Sequence, residues 1–400
     1  MAKIQRKVLE NGMVVLFEKR NLPVVSVAFA SKAGGINESV SEKGISHYIE
    51  HMLYKGTPKR DAKKIAEEIE KNGGVLNGFT DEDLTAFWCK MPSKHLRTAL
   101  EVLGDMVQNP VFDEKELEKE RKVIFEEMKM RKDNPGIYVF DKLGSLLYEP
   151  PFGISLIGTE KTMGSIDREK IIDKFKKLYQ PSNMILCVVG KANFNEIVKF
   201  AEKKFSSKKA EVPKQKIVAI NKSQIEKRTG IDQANLVFAY HVPKIKDKKI
   251  YASMVLNTLL AGGMSSRLFT EIREKRNLAY SIRGGLDTGK DYGHAYIYVG
   301  TSKENVSKVK ELIIEEFKKV AQGFSEKELA QVKEQIIGNY KISTEDSYAQ
   351  MINLLYSETF DNIKNYEKYE KYISEVKIKE IQELAKKAIE KYSFFALVPK

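Results

Sequence analysis

Hydrophobic and polar positions alternate along this chain in two recurring ways. Short apolar runs, such as Ser26-Val-Ala-Phe-Ala30, Ile185-Leu-Cys-Val-Val-Gly190, Leu236-Val-Phe-Ala-Tyr240 and Phe394-Phe-Ala-Leu-Val398, read as strands. Longer stretches with charges between spaced apolar residues read as amphipathic helices. Each half of the chain gives the same coarse order: strands, helix, strand, helix, long helix, further helices, final strand. Mixed strands and helices without strict alternation predict an α+β fold.

The pattern is duplicated. Phe112-Asp-Glu-Lys-Glu-Leu117 recurs as Phe324-Ser-Glu-Lys-Glu-Leu329, an offset of 212 residues. Each copy opens a long helix with an Asp or Ser cap and acidic residues in the first turn. Ser26–Ala30 matches Leu236–Tyr240 at an offset of 210. A period this long exceeds any solenoid repeat and indicates two homologous domains. The expected boundaries are 1–208 and 227–400. Residues 209–226, rich in Lys, with Ser and Gln and with Pro213, form the expected linker.

One stretch carries chemistry. His47-Tyr-Ile-Glu-His51 places two histidines four apart, on one helix face and one turn from each other. Neutral imidazoles are the commonest protein ligands for zinc. Glu50 adjoins the second histidine on that face. Two metal ligands beside a general base suit a zinc hydrolase. The order is inverted relative to His-Glu-x-x-His. The chain has 5 histidines in all, so a chance match is uncommon, and the alternative is an amphipathic helix whose histidines cap or line a core. A third protein ligand is expected for catalytic zinc. The helix Glu116–Met128 offers Glu120 and Glu127, seven apart and on one face. In the second half the positions matching His47, Glu50 and His51 hold Asn257, Leu260 and Ala261, so that half has no such group.

Composition narrows the field. Net charge is +13, but the lysines are spread among glutamates, as in Glu114-Lys-Glu-Leu-Glu-Lys-Glu-Arg121. That is the pattern of solvated helix faces. No compact basic block with interleaved aromatics appears, which argues against nucleic acid. No apolar run reaches membrane-span length, so no membrane association is expected. Cys89 and Cys187 sit in apolar strand-like runs and read as buried thiols. The N-terminal residues lack the apolar stretch of a signal peptide, so a cytoplasmic location is the default expectation.

The residues resemble the pitrilysin/insulysin family of inverted-motif zinc metallopeptidases, in its short bacterial branch, similar to mitochondrial processing peptidase. The resemblance rests on His47-Tyr-Ile-Glu-His-Met-Leu-Tyr-Lys-Gly-Thr57 and on Glu118-Lys-Glu-Arg-Lys-Val-Ile-Phe-Glu-Glu-Met128. Further matches are Gly73-Gly-Val-Leu-Asn77, Asp105-Met-Val-Gln-Asn-Pro110 and Arg267-Leu-Phe-Thr-Glu-Ile-Arg-Glu-Lys-Arg-Asn-Leu-Ala-Tyr-Ser281. It spans nearly the whole chain. Gly78 stands where many members have alanine, and Phe87 where many have tyrosine.

The resemblance implies one Zn2+ per chain, held by His47, His51 and Glu127. It implies that Glu50 takes a proton from the attacking water and that Glu120 orients a ligand histidine. Asn77, Gly78 and Phe79 would contact substrate backbone, with the strand Phe79 to Trp88 offering its edge to an extended peptide. Arg273 and Tyr280 of the metal-free domain would hold substrate and stabilise the oxyanion. The implied fold is two homologous domains, each a mostly antiparallel sheet packed with helices, forming a clamshell. The implied activity is zinc-dependent endopeptidase action on oligopeptides or unfolded segments. The expected partners are peptide substrates and a second chain, as a homodimer or as a heterodimer with a paralogue. The competing expectation is a non-catalytic structural or binding subunit of the same family.

Overall fold

The computed structural model describes residues 3–206, 209–360 and 363–400. The first half runs β1 (Ile4–Val8), β2 (Val14–Lys19), β3 (Val24–Ser31), α1 (Ile45–Leu53), the two-residue strands β4 (Gly56–Thr57) and β5 (Arg60–Asp61), and α2 (Ala62–Glu70). It continues with β6 (Val75–Thr80), β7 (Thr85–Pro92), α3 (Leu96–Gln108), α4 (Glu114–Asp133), α5 (Pro135–Leu147), α6 (Glu160–Ser165), α7 (Arg168–Leu178), β8 (Met184–Gly190) and α8 (Phe194–Lys204). The second half runs β9 (Ser223–Arg228), β10 (Ala234–His241), α9 (Ile250–Ala261), β11 (Ala279–Thr288), β12 (Gly293–Thr301), α10 (Val306–Gln322), α11 (Glu326–Ser343) and α12 (Ser347–Thr359). It closes with α13 (Ile363–Tyr366), α14 (Tyr369–Glu375), α15 (Ile378–Glu390) and β13 (Ser393–Pro399). No helix among the described residues is long and apolar enough to cross a membrane.

The chain divides into two compact units. The first comprises Met1–Glu127, Leu156–Gln215 and Ser343–Ile363. Its six-stranded sheet has the order β1-β2-β8-β3-β7-β6. Every neighbouring pair is antiparallel except β2 with β8. The second unit comprises Met128–Ser155, Lys216–Ile342 and Lys364–Lys400. Its five-stranded sheet has the order β11-β12-β10-β13-β9, and only β13 with β9 is parallel. Strand for strand, β2, β8, β3, β7 and β6 correspond to β9, β13, β10, β12 and β11, and β1 is an addition to the first sheet. The α+β fold with duplicated, mostly antiparallel domains is therefore what the chain adopts.

The capped long helices are present as expected. Asp113 Oδ1 accepts from the Lys115 and Glu116 amides at the start of α4, and Ser325 Oγ accepts from the Glu328 amide at the start of α11. Cys89 and Cys187 are free and buried in β7 and β8.

The units do not follow the continuous blocks 1–208 and 227–400. α5, from the first half of the sequence, packs on β10 and β13 of the second unit. α12, from the second half, packs on β3 and β8 of the first unit. These two helices occupy equivalent places, each directly after its long helix, so the halves exchange them. The first sheet accommodates α12 through small side chains: Ser26 Oγ and Ser347 Oγ lie 2.9 Å apart, and the Cys187 thiol is 3.9 Å from the Met351 carbonyl. The expected linker 209–226 also runs into structure, since β9 begins at Ser223. Residues 1, 2, 207 and 208 of the expected first block lie outside the described residues.

The expected single strand from Phe79 to Trp88 is instead a hairpin. β6 ends at Thr80 and β7 begins at Thr85. Between them the turn-forming run Asp81-Glu-Asp83 reverses the chain, closed by the Asp81 amide donating to Leu84 O at 2.8 Å. The edge strand is therefore β6, whose six residues pair with β7 from Val75↔Lys90 to Thr80↔Thr85.

Candidate metal centre

The inverted motif sits on α1, and the local sequence fixes how that helix starts. Gly44 precedes it at φ +97°, in the left-handed region. A Cβ there would also come within 2.8 Å of Ile157 O. Glu38 then caps the helix from a distance in sequence. Its two carboxylate oxygens accept from the Gly44 amide at 3.0 Å and the Ser46 amide at 2.7 Å. These are donors that a helix start leaves without helical partners. Glu38 and Lys43 are both wholly buried, with Lys43 Nζ 3.8 Å from Glu38 and 3.6 Å from Glu82. Lys43 also donates to Gly35 O at 3.0 Å. Burial pushes the Glu38 carboxyl up, against the opposing pull of Lys43 and the two capping amides.

The apolar face of α1 buries Ile45, Tyr48, Ile49, Met52 and Leu53. The Tyr48 hydroxyl donates to Leu117 O of α4 at 2.5 Å. That bond joins the two helices that carry the candidate ligands. The opposite face of α1 leaves His47, Glu50 and His51 half-buried.

His47 Nε2 lies 3.5 Å from Glu127 Oε2, and His51 Nε2 lies 3.9 Å from the same oxygen. The three ligand atoms all fall within 4.8 Å of one another. Ligand atoms about 2.0–2.2 Å from a tetrahedral zinc sit roughly 3.4 Å apart, so this spacing suits one ion. Two imidazoles and a carboxylate are also a known catalytic zinc set. Among the described residues this is the group of that kind found.

Glu120, one face-length back along α4, is largely buried. Its Oε2 lies 2.9 Å from His51 Nδ1 and its Oε1 2.6 Å from Lys55 Nζ. With Nδ1–H donated to Glu120, the lone pair of His51 is directed through Nε2, toward Glu127. Glu50 points to the hairpin: its Oε2 accepts from Thr80 Oγ1 at 2.7 Å. Burial raises the Glu50 carboxyl, the Thr80 bond and His51 lower it, and Glu127 raises it, with a net upward shift.

Asn77, Gly78 and Phe79 all lie on the edge strand β6. Asn77 is exposed and its Oδ1 accepts from the Gly78 amide at 2.8 Å. A Cβ at Gly78 would come within 2.4 Å of the Tyr54 hydroxyl, so this tyrosine occupies the space an alanine methyl would take. Arg273 and Tyr280 belong to the second unit and are not part of the His-His-Glu group. Arg273 lies in a π-helical stretch, Phe269–Glu274, and Nη1 donates to Tyr280 O at 2.6 Å. Tyr280 is the second residue of β11 and is 45% exposed.

Sequence reasoning missed Thr80, Glu38 and Lys55. For Thr80 the signal was the period of two along β6, which puts it on the face of Gly78.

The family model described as Insulinase (Peptidase family M16) matches residues 13–160, and that described as Peptidase M16 inactive domain matches residues 165–336. A Bacillus subtilis protein described as uncharacterized zinc protease YmxG is 33% identical over 357 residues, covering 87% of this chain and 86% of that protein. The chain belongs to peptidase family M16. A Rickettsia felis protein described as an uncharacterized zinc protease is 34% identical over 346 residues, 84% of this chain and 83% of its own length. A protease from Helicobacter pylori has the same fold with a TM-score of 0.93, at 22% identity and full coverage of both chains. A Pseudomonas fluorescens structure titled as a peptidase M16 inactive domain superposes with a TM-score of 0.89, also at 22% identity. In this M16 chain the His47–His51–Glu127 group lies within the segment matched by the first model. The positions equivalent to its motif, Asn257, Leu260 and Ala261, lie within the segment matched by the second.

Proposed function

We propose that this chain is a zinc-dependent endopeptidase that cleaves oligopeptides or unfolded segments in extended form. The observation that carries the reading is the complete group itself: His47, His51 and Glu127 within 4.8 Å, His51 oriented by Glu120, and Glu50 beside them. His47, His51 and Glu127 would hold the zinc, which would supply Lewis acidity toward a peptide carbonyl and a water. Glu50 accepts the proton of the attacking water. Thr80 holds one of its oxygens and so fixes the direction of transfer. Glu50 then returns the proton to the leaving amine.

Substrate enters by adding a strand to β6. That strand is a sheet edge, and its outer N–H and C=O groups suit main-chain pairing with an extended peptide. Main-chain recognition tolerates varied sequences, as a peptide-clearing or processing enzyme requires. A non-catalytic subunit of the family would have no need of an intact ligand set with its orienting carboxylate.

The test is a mass-spectrometric digest of a diverse peptide mixture by zinc-loaded protein, with and without a chelator. Cleavage that the chelator abolishes is the expected result. Zinc-loaded protein that leaves every peptide intact would overturn the peptidase reading.

A further inference from the structure

The edge strand has two faces, and the metal helix covers only one. Gly78 and Thr80 face α1, as shown by the Thr80–Glu50 bond and the closeness of Gly78 to Tyr54. Alternate residues point the other way. On that second face lies α12, supplied by the metal-free half of the sequence. Phe79 stacks against Tyr356 with ring centroids 6.3 Å apart. Trp88, paired with Asn77 across the hairpin, lies 4.2 Å from the Tyr348 ring. Lys90, paired with Val75, forms an ion pair with Asp346 at 2.5 Å.

Tyr348, Ile352 and Tyr356 are four residues apart, so they form one row along α12. All three are half-buried and thus still open to a ligand on one side. Val75, on the same face of β6, is 59% exposed. The charges on this face are engaged: Lys90 with Asp346, and Asp81 with the Tyr356 hydroxyl and the Glu82 amide. Apart from the exposed Asn77, the β6 and α12 residues named on this face are aromatic and aliphatic.

From this the geometry points to a specificity subsite on α12: the row Tyr348–Ile352–Tyr356, with Phe79, selects large apolar or aromatic side chains of the peptide strand paired to β6. The inference rests on the peptidase reading and deepens it. In an extended strand the residues on either side of any bond point to opposite faces. Of the two residues flanking the cleaved bond, one therefore faces α1 and the other faces α12. The metal-free half of the chain thereby sets sequence preference at every second substrate position, while the metal-bearing half sets the chemistry.

The experiment compares wild type, Tyr356→Ala and Ile352→Glu in the same digest, with zinc content and thermal melting recorded for each. Wild type is expected to favour large apolar residues at one flanking position and at alternate positions from it. For a peptide pair differing only as Phe or Ala at that flanking position, the ratio of kcat/KM should fall about tenfold in Tyr356→Ala, the scale of discrimination a hydrophobic pocket provides. Ile352→Glu, a change on a half-exposed helix surface, should shift preference toward Lys and Arg at an alternate position. A merely structural role for α12 would not produce that gain. Chelator-sensitive cleavage by all three proteins with one unchanged preference would overturn the subsite and leave the peptidase reading standing. Absence of cleavage by zinc-loaded wild type would overturn both.

Discussion

At the residue scale the site is defined by which oxygen of which carboxylate does what. Glu50, Glu120 and Glu127 are chemically alike and lie around two imidazoles, yet their partners separate them. Glu127 faces the Nε2 atoms of both histidines, Glu120 faces the far nitrogen of one, and Glu50 is tied to a threonine. Glu50→Gln is expected to keep zinc and lose turnover by about 10²–10⁴-fold, the usual weight of a general acid–base group. Metal analysis alongside peptide cleavage checks both halves of that statement. Glu120→Ala should lower zinc affinity about 10–100-fold, measured by competition with a chromogenic chelator, because His51 loses its orienting acceptor. The sequence made Glu120 and Glu127 equal candidates as ligands, since both lie on one face of α4. Spacing alone carries no information on which of them meets Nε2 and which meets Nδ1. The resemblance chose between them; in the structure Glu127 lies nearer the Nε2 atoms and Glu120 beside Nδ1.

At the element scale, α1 depends on a buried trio that no capping rule would find. Glu38 serves the helix start from outside the ordinary cap position, so the usual Ser/Thr/Asp signal is missing and Gly44 stands in its place. Lys43 lies between Glu38 and Glu82 with no exposure. Lys43→Met should cost about 3–5 kcal/mol in urea unfolding, the usual penalty for leaving a buried charge without its partner. Zinc affinity should weaken with it, because the helix that presents both histidines loses its anchor. The β6–β7 hairpin was misjudged for a related reason. Its turn is an acidic run with no glycine or proline, which reads as a polar interruption within one strand. On β12, His294 lies beside Tyr148, whose hydroxyl is 3.2 Å from Nδ1. Burial, aided by His241, pushes His294 down to about 3. The unfolded chain, with an ordinary value of about 6.5, takes up a proton that the folded chain refuses. Stability should therefore rise with pH between about 3 and 6.5 and be lost as pH falls through that window, by up to about 1.4 kcal/mol per pH unit. Acid unfolding followed by circular dichroism should move to lower pH in His294→Gln.

At the scale of the whole molecule, the duplication was legible because repeated strings such as Phe112–Leu117 and Phe324–Leu329 survive. The exchange of α5 and α12 was not. Both helices carry the same kind of pattern in equivalent places, and a hydrophobic period states that a face is buried without stating against which sheet. A fragment ending at residue 208 therefore contains every strand of the first sheet and lacks its helix α12. Such a fragment should be poorly soluble when expressed alone, and co-expression with residues 209–400 should restore soluble protein, as judged by gel filtration. The same exchange governs synthesis on the ribosome. The last strand of the first sheet ends at Gly190, and α12 begins only at Ser347. At about 5–20 residues per second, the nascent sheet waits roughly 8–30 s for its cover. Through that interval the apolar face that α12 covers stays open, and the half that carries the inverted histidine motif is finished only when the other half has nearly been made.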